Sequence, residues 1–173
     1  MSTIKKLRSK AGFTLTEALV ALAIMAMISV AVSSGLTVAV KAYRESVFIS
    51  DAEVLQDTIN TAMSDILRYG KYTGTDGDGT LLFGNDKYHI LSGGHFVNAN
   101  GHIYLNSGSA GSDDGDPSTL SLLINTGAYV SLSVENFTIA YDPANLTYSG
   151  TYTITSADDL LTKNCSFAYR SLV

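Results

Sequence analysis

The chain has 173 residues, 16 Asp and Glu against 11 Lys and Arg, and a net charge of −5. Residues 1–12 hold four of the bases and no acid, so the remainder carries seven bases against 16 acids, a net of −9. That argues against nucleic acid as a generic partner, because such affinity rests on Lys and Arg neutralising phosphates, and the lone cysteine, Cys165, excludes an intramolecular disulfide.

In chain order, the basic residues Lys5, Lys6, Arg8 and Lys10 come first. Gly12-Phe13-Thr14-Leu15-Thr16-Glu17 follows, and no charge then appears from Ala18 to Val40. A helix over that uncharged stretch would be about 34 Å long, enough to cross a hydrocarbon core of about 30 Å. The basic flank predicts a cytoplasmic N-terminus and an extracytoplasmic remainder. Glu17 is the anomaly, because an ionised side chain at that depth costs roughly 3 kcal/mol or more and calls for a partner. A cut between Gly12 and Phe13 would create one: the new amine lies four residues from Glu17 on the same helical face. Thr14-Leu15-Thr16-Glu17 is also an ordinary capping box. The segment could also be a secretory signal with Ala31-Val32-Ser33 as its cleavage site, or a plain signal anchor. Either would leave a secreted or anchored binding module, adhesin-like.

These residues, from the basic leader through the apolar helix to about residue 45, resemble the type IV prepilin signal shared by pilins and the pseudopilins of type II secretion and DNA-uptake systems. The resemblance implies cleavage after Gly12 by a prepilin peptidase and N-methylation of Phe13. It implies an assembly platform protein and other subunits as partners, with Glu17 pairing with a neighbour's amino terminus in a filament. It departs from many pilins in having Ser34 where they have Pro, Ala26 where they have Gly, and no pair of cysteines in the C-terminal loop. The missing disulfide and acidic head favour a minor pilin or pseudopilin.

Further along, Tyr43, Val47, Phe48, Ala52, Leu55, Ile59, Ala62, Met63 and Ile66 recur at helical spacing, with Arg44, Glu53, Asp57, Asn60, Ser64 and Arg68 opposite. Gly70 is a suitable stop. The pattern divides the chain into a leader (1–12), an apolar membrane and assembly half of the helix (13–40), an amphipathic half (41–70) and a β-rich head (71–173). Within the head, strands are expected at 80–83, 88–91, 95–97 and 102–105. Turn residues 84–86, 92–94 and 98–101 separate them. A Gly/Ser/Asp-rich loop spans 106–118. Strands at 119–125 and 128–134 are read as a hairpin across Thr126-Gly127. A strand at 137–141, a turn at Asp142-Pro143, a hairpin of 146–148 and 151–155 across Ser149-Gly150, a turn or short helix at 158–162 and a closing strand at 166–172 complete the chain. The fold class is α+β, a long N-terminal helix laid on an antiparallel sheet.

Other chemistry is thinly represented. Asp76 and Asp78, and Asp113, Asp114 and Asp116, have oxygen ligands for Ca²⁺ but no full twelve-residue loop pattern, so solvated turns are the favoured reading. His89, His95 and His102 fit no compact zinc motif. Cys165 reads as a buried strand residue, and most of the ten tyrosines as half-buried sheet residues. No nucleophile elbow, phosphate loop or paired-carboxylate signature appears. The expectation is a subunit with no catalytic residues, cofactor or metal.

Overall fold

The computed structural model describes residues 14–173. The chain divides into two compact units, Met1–Arg44 and Glu45–Val173. One helix, α1 (Leu15–Arg68), contributes to both. In the second unit its buried residues are Phe48, Ala52, Leu55, Ile59, Met63, Ile66 and Leu67. Steps of three and four place them on one stripe, and this is the face that covers the sheets. Tyr43 and Val47, expected on that stripe, are exposed. The last carbonyls of α1 have partners outside the helix ladder, as a buried C-terminus requires. Asn85 Nδ2 donates to Ile66 O at 2.7 Å, the Leu172 amide to Arg68 O at 2.8 Å, and the Gly70 amide to Leu67 O at 3.1 Å.

Five strands form the first sheet: β1 (Lys71–Thr75), β2 (Leu81–Asn85), β3 (Ile90–Ala99), β4 (His102–Asn106) and β5 (Ser121–Leu122). Each pairs with the next, all antiparallel. The sequence reading omitted β1 and cut β3 in two. Residues 86–88 are a 3-10 turn, because the Asn85 side chain accepts from the amides of Lys87 at 3.0 Å and Tyr88 at 3.3 Å. The expected turn at 92–94 lies inside β3. There Gly94 serves close packing, since a Cβ at that position would sit 2.0 Å from Ile90 Cγ2 and 2.9 Å from Phe83 O. The hairpin between β3 and β4 is as expected, with Asn100 and Gly101 at φ 50° and 74°.

The second sheet has three strands, β6 (Leu132–Asp142), β7 (Thr147–Ser156) and β8 (Thr162–Arg170), in sequence order and antiparallel. Two expected hairpins are corrected here. Residues 126–128 form a 3-10 turn, capped by the Asn125 side chain on the Gly127 amide at 2.8 Å. Such a local side-chain bond competes with a strand ladder. Residues 147–156 are a single strand that runs straight through Ser149-Gly150. The sheets meet where the Val134 amide donates to Gly101 O at 2.8 Å and Asn98 Nδ2 to Val134 O at 2.9 Å.

Rings link the two sheets beneath α1. Tyr148 lies 6.5 Å from Phe83 and 4.7 Å from Tyr141, and Phe137 lies 6.0 Å from Phe96 and 6.1 Å from Phe167. Tyrosine hydroxyls of the second sheet reach the helix and the residues just past its end: Tyr169 donates to Asn60 O at 3.0 Å, Tyr152 to Asn60 Oδ1 at 3.2 Å, and Tyr148 to Gly70 O at 3.0 Å. Cys165 is buried, as expected of a strand residue.

Burial pushes the Tyr169 phenol from an ordinary 10.0 up to about 12, the Arg68 charge opposing, and pushes Tyr148 and Tyr152 up as well. An unfolded chain therefore releases these protons first, and the stability they carry is present below pH 10 and lost as pH rises through the folded values. Alkaline titration followed at the tyrosinate absorbance should show a late cooperative step above pH 10, coincident with loss of near-ultraviolet circular dichroism. A smooth titration centred on pH 10 would contradict this reading.

Candidate functional site

The described chain opens on a reciprocal cap. Glu17 Oε2 accepts from the Thr14 amide and from the Thr14 hydroxyl, each at 2.9 Å, and the Glu17 amide donates to Thr14 Oγ1 at 3.3 Å. This is the capping box visible in the sequence, and a carboxylate there also complements the positive end of the helix. Both carboxylate bonds fall on Oε2; Oε1 accepts none among the described residues. Gly12 and Phe13, the expected processing pair, lie outside the described residues.

Beyond the cap, α1 presents apolar side chains on every side. Leu15, Met25, Met27, Val30, Leu36 and Val38 are all more than 60% exposed. The most apolar 18-residue window of the helix has a mean hydropathy of 2.3, and none of it is buried within the chain. By length and composition the helix can cross a membrane. Three of its hydroxyls bond to helix carbonyls: Ser29 donates to Met25 O at 2.8 Å, Ser34 to Ala31 O at 3.0 Å and Thr37 to Ser33 O at 3.0 Å. These three therefore place no unpaired donor on the apolar surface. Such a face is stable only in lipid or against other apolar helices.

The remaining candidates do not converge. His89 is an exposed αL residue at φ 55°, His102 packs its ring 4.2 Å from Tyr129, and His95 faces Asp114. Among the described residues no three His, Cys, Asp or Glu side chains are grouped as metal ligands. The carboxylates of loop 106–118 already have protein partners: Asp113 accepts from the Gly115 amide, Asp116 from the Ser118 amide and hydroxyl, and Asp114 from the Asn106 side chain, with its other oxygen 2.7 Å from His95 Nε2 on β3. The Ser118 donors hold the Asp116 carboxyl below its usual range. Sequence reasoning missed the His95–Asp114 pair. The two are 19 residues apart, and only the pairing of β3 with β4 brings the loop over the imidazole.

Residues 7–33 match the family described as the prokaryotic N-terminal methylation motif. The chain thus carries, over those residues, the prepilin-type signal of type IV pilins. The motif marks a family of structural subunits. It implies processing by prepilin peptidase, assembly with other pilin subunits and anchoring in a membrane. No curated protein and no solved structure matches the chain.

Proposed function

We propose that this protein is a minor pilin or pseudopilin, a structural subunit of a type IV pilus, type II secretion or DNA-uptake filament. It is cleaved between Gly12 and Phe13 and methylated on Phe13. Residues 13–40 anchor it in the cytoplasmic membrane and later pack in the filament core, residues 41–70 are the amphipathic half of the helix, and the β-rich head, 71–173, lies outside the cytoplasm. An assembly platform protein draws the subunit from the bilayer. The observation that carries this reading is the combination of the methylation motif with an apolar helix whose most apolar stretch is not buried against any of the described residues. Glu17 Oε1 is left to accept the amine of an adjacent subunit, which would neutralise both charges away from water. N-terminal mass spectrometry of protein from its native membrane tests the reading. A mature chain starting at N-methylated Phe13 is expected; an intact Met1, or a start after Ser33, overturns it.

A further inference from the structure

The second sheet has one face under α1 and one face away from it. On β7 the Tyr148 hydroxyl bonds to Gly70 O and the Tyr152 hydroxyl to Asn60 Oδ1, so Thr147, Ser149 and Thr151, which alternate with them, point the other way. On β8, Tyr169 bonds to Asn60 O and Arg170 takes the outer face. The register aligns Asp142 of β6, Thr147 of β7 and Arg170 of β8 in one row across that face. A depression of about 520 Å³ opens there, lined by Asp142, Ala144, Asn145, Thr147, Ser149 and Arg170. It lies at the Gly70 end of the unit, remote from Glu45, where α1 enters.

One wall is braced. The Ala144 amide and Asn145 Nδ2 donate to the two oxygens of Asp142 at 2.9 and 2.7 Å, and the Thr147 hydroxyl donates to Asn145 O at 3.0 Å. Leu146, in the same hairpin, has φ 52°, the left-handed region that a bulky side chain rarely enters, and the Ser171 amide fastens its carbonyl at 2.7 Å. Such a conformation persists only where its surroundings over-determine it, and such places cluster at ligand sites. The other wall is unused. The exposed Arg170 guanidinium and Ser149 hydroxyl make no hydrogen bond or ion pair with any described residue. Adjacent strands lie about 4.8 Å apart, so the Asp142 and Arg170 backbones stand about 10 Å apart with Thr147 between them.

We infer that this depression is a carbohydrate site selective for an acidic sugar: Arg170 takes the carboxylate, Ser149 and the Asn145 amide oxygen take ring hydroxyls, and the Asp142 carboxylate accepts from hydroxyls at the far side. Five of the six lining side chains are polar and none is aromatic, whereas a pocket for an apolar ligand is lined mostly by hydrophobic groups. A guanidinium only donates and a carboxylate only accepts. Set at opposite ends of one depression, they fit a ligand with a carboxylate at one end and hydroxyl donors at the other, as a hexuronate has across its ring. The guanidinium fork meets a carboxylate through two parallel bonds. The Asn145 side chain and the Ala144 amide hold the Asp142 carboxyl below the usual carboxylate range, so it stays an acceptor. The net of −9 on residues 13–173 does not forbid an anionic ligand, because exposed charges are screened beyond about 8 Å at physiological salt and Arg170 is the nearest charge to the bound carboxylate.

The test titrates the full ¹⁵N-labelled chain in detergent with trigalacturonate, maltotriose and glycylglycine, followed by backbone amide shifts. Trigalacturonate at millimolar concentration should give saturable shifts confined to residues 142–149 and 168–170. Maltotriose, of the same length but without carboxylates, should bind at least about tenfold more weakly, the worth of one hydrogen bond to a charged group. Arg170→Gln should bring trigalacturonate down to the maltotriose level. Lys163→Gln, which removes the same charge at the other end of β8, should leave binding unchanged. Ser149→Tyr, which fills the floor with a good strand former, should abolish it. Unshifted amides elsewhere in the second unit report that each variant is folded. Equal binding of the two sugars, a preference for glycylglycine, undiminished binding by Arg170→Gln, or no saturable shift with trigalacturonate would overturn the assignment.

Discussion

Replacing Glu17 with Ala should leave the protein processed and folded but should cut its incorporation into filaments by about two orders of magnitude. The reasoning is electrostatic. In the proposed assembly the amine of a processed neighbour is carried into an apolar helix bundle, where an unpaired charge costs roughly 3 kcal/mol or more. At about 1.4 kcal/mol per tenfold, that is about a hundredfold in association. The substitution also removes both Oε2 bonds to Thr14, and losing a helix cap costs about 1 kcal/mol. A second variant separates the two effects. Thr14→Ala breaks the side-chain half of the cap while keeping the carboxylate, so it should assemble nearly as well as wild type. Quantitative blotting of sheared filaments against membrane pools makes the measurement, with Glu17→Gln alongside. Equal recovery of Glu17→Ala and wild-type subunits would remove the carboxylate from the mechanism and leave helix packing alone to drive assembly.

Much of this protein can be read from its residues because its strongest signals are local. The cap at Thr14–Glu17, the uncharged run to Val40, the amphipathic stripe from Phe48 to Ile66 and the stop before Gly70 each depend on neighbours within a turn or two. The structure has them where the periodicity puts them. The head was harder because glycine has two uses. Gly93-Gly94 and Ser149-Gly150 look like turns, yet both lie inside strands, where the missing Cβ admits a neighbouring backbone or side chain. Asn85 and Asn125 were equally opaque. Each caps a 3-10 turn in a stretch whose composition favours a strand. The division into two sheets, and the meeting of His95 with Asp114, depend on pairing between distant segments and have no counterpart in local pattern.

One of those glycines provides the largest expected effect on the head. Gly150→Ala should destabilise the second unit by about 3 kcal/mol, the upper part of the range for overpacking a filled interior. A Cβ at Gly150 would lie 2.0 Å from the Thr138 carbonyl oxygen and 2.6 Å from Phe167 Cζ. Neither neighbour can yield cheaply. Thr138 belongs to β6, where the register shifts between Glu135 and Thr138, and its hydroxyl holds the junction by accepting from the Thr151 amide at 3.2 Å. Phe167 is stacked 6.1 Å from Phe137 and 5.4 Å from Tyr169. To clear the methyl, β6 and β7 must separate by about an ångström and strain ladder bonds on either side, each worth about 1 kcal/mol. Gly93→Ala is the matched control: it also lies in a strand, and a Cβ there meets nothing within 4 Å. The control should be neutral, or stabilising by up to about 1 kcal/mol through the unfolded chain. Thermal melts of the full chain, followed by near-ultraviolet circular dichroism, should place Gly150→Ala about 10 °C below wild type. The processing proposed after Gly12 should be unaffected, because the substitution lies in the head and not in the N-terminal signal. A melt matching the Gly93→Ala control would mean that β6 and β7 do not approach as closely as this packing requires.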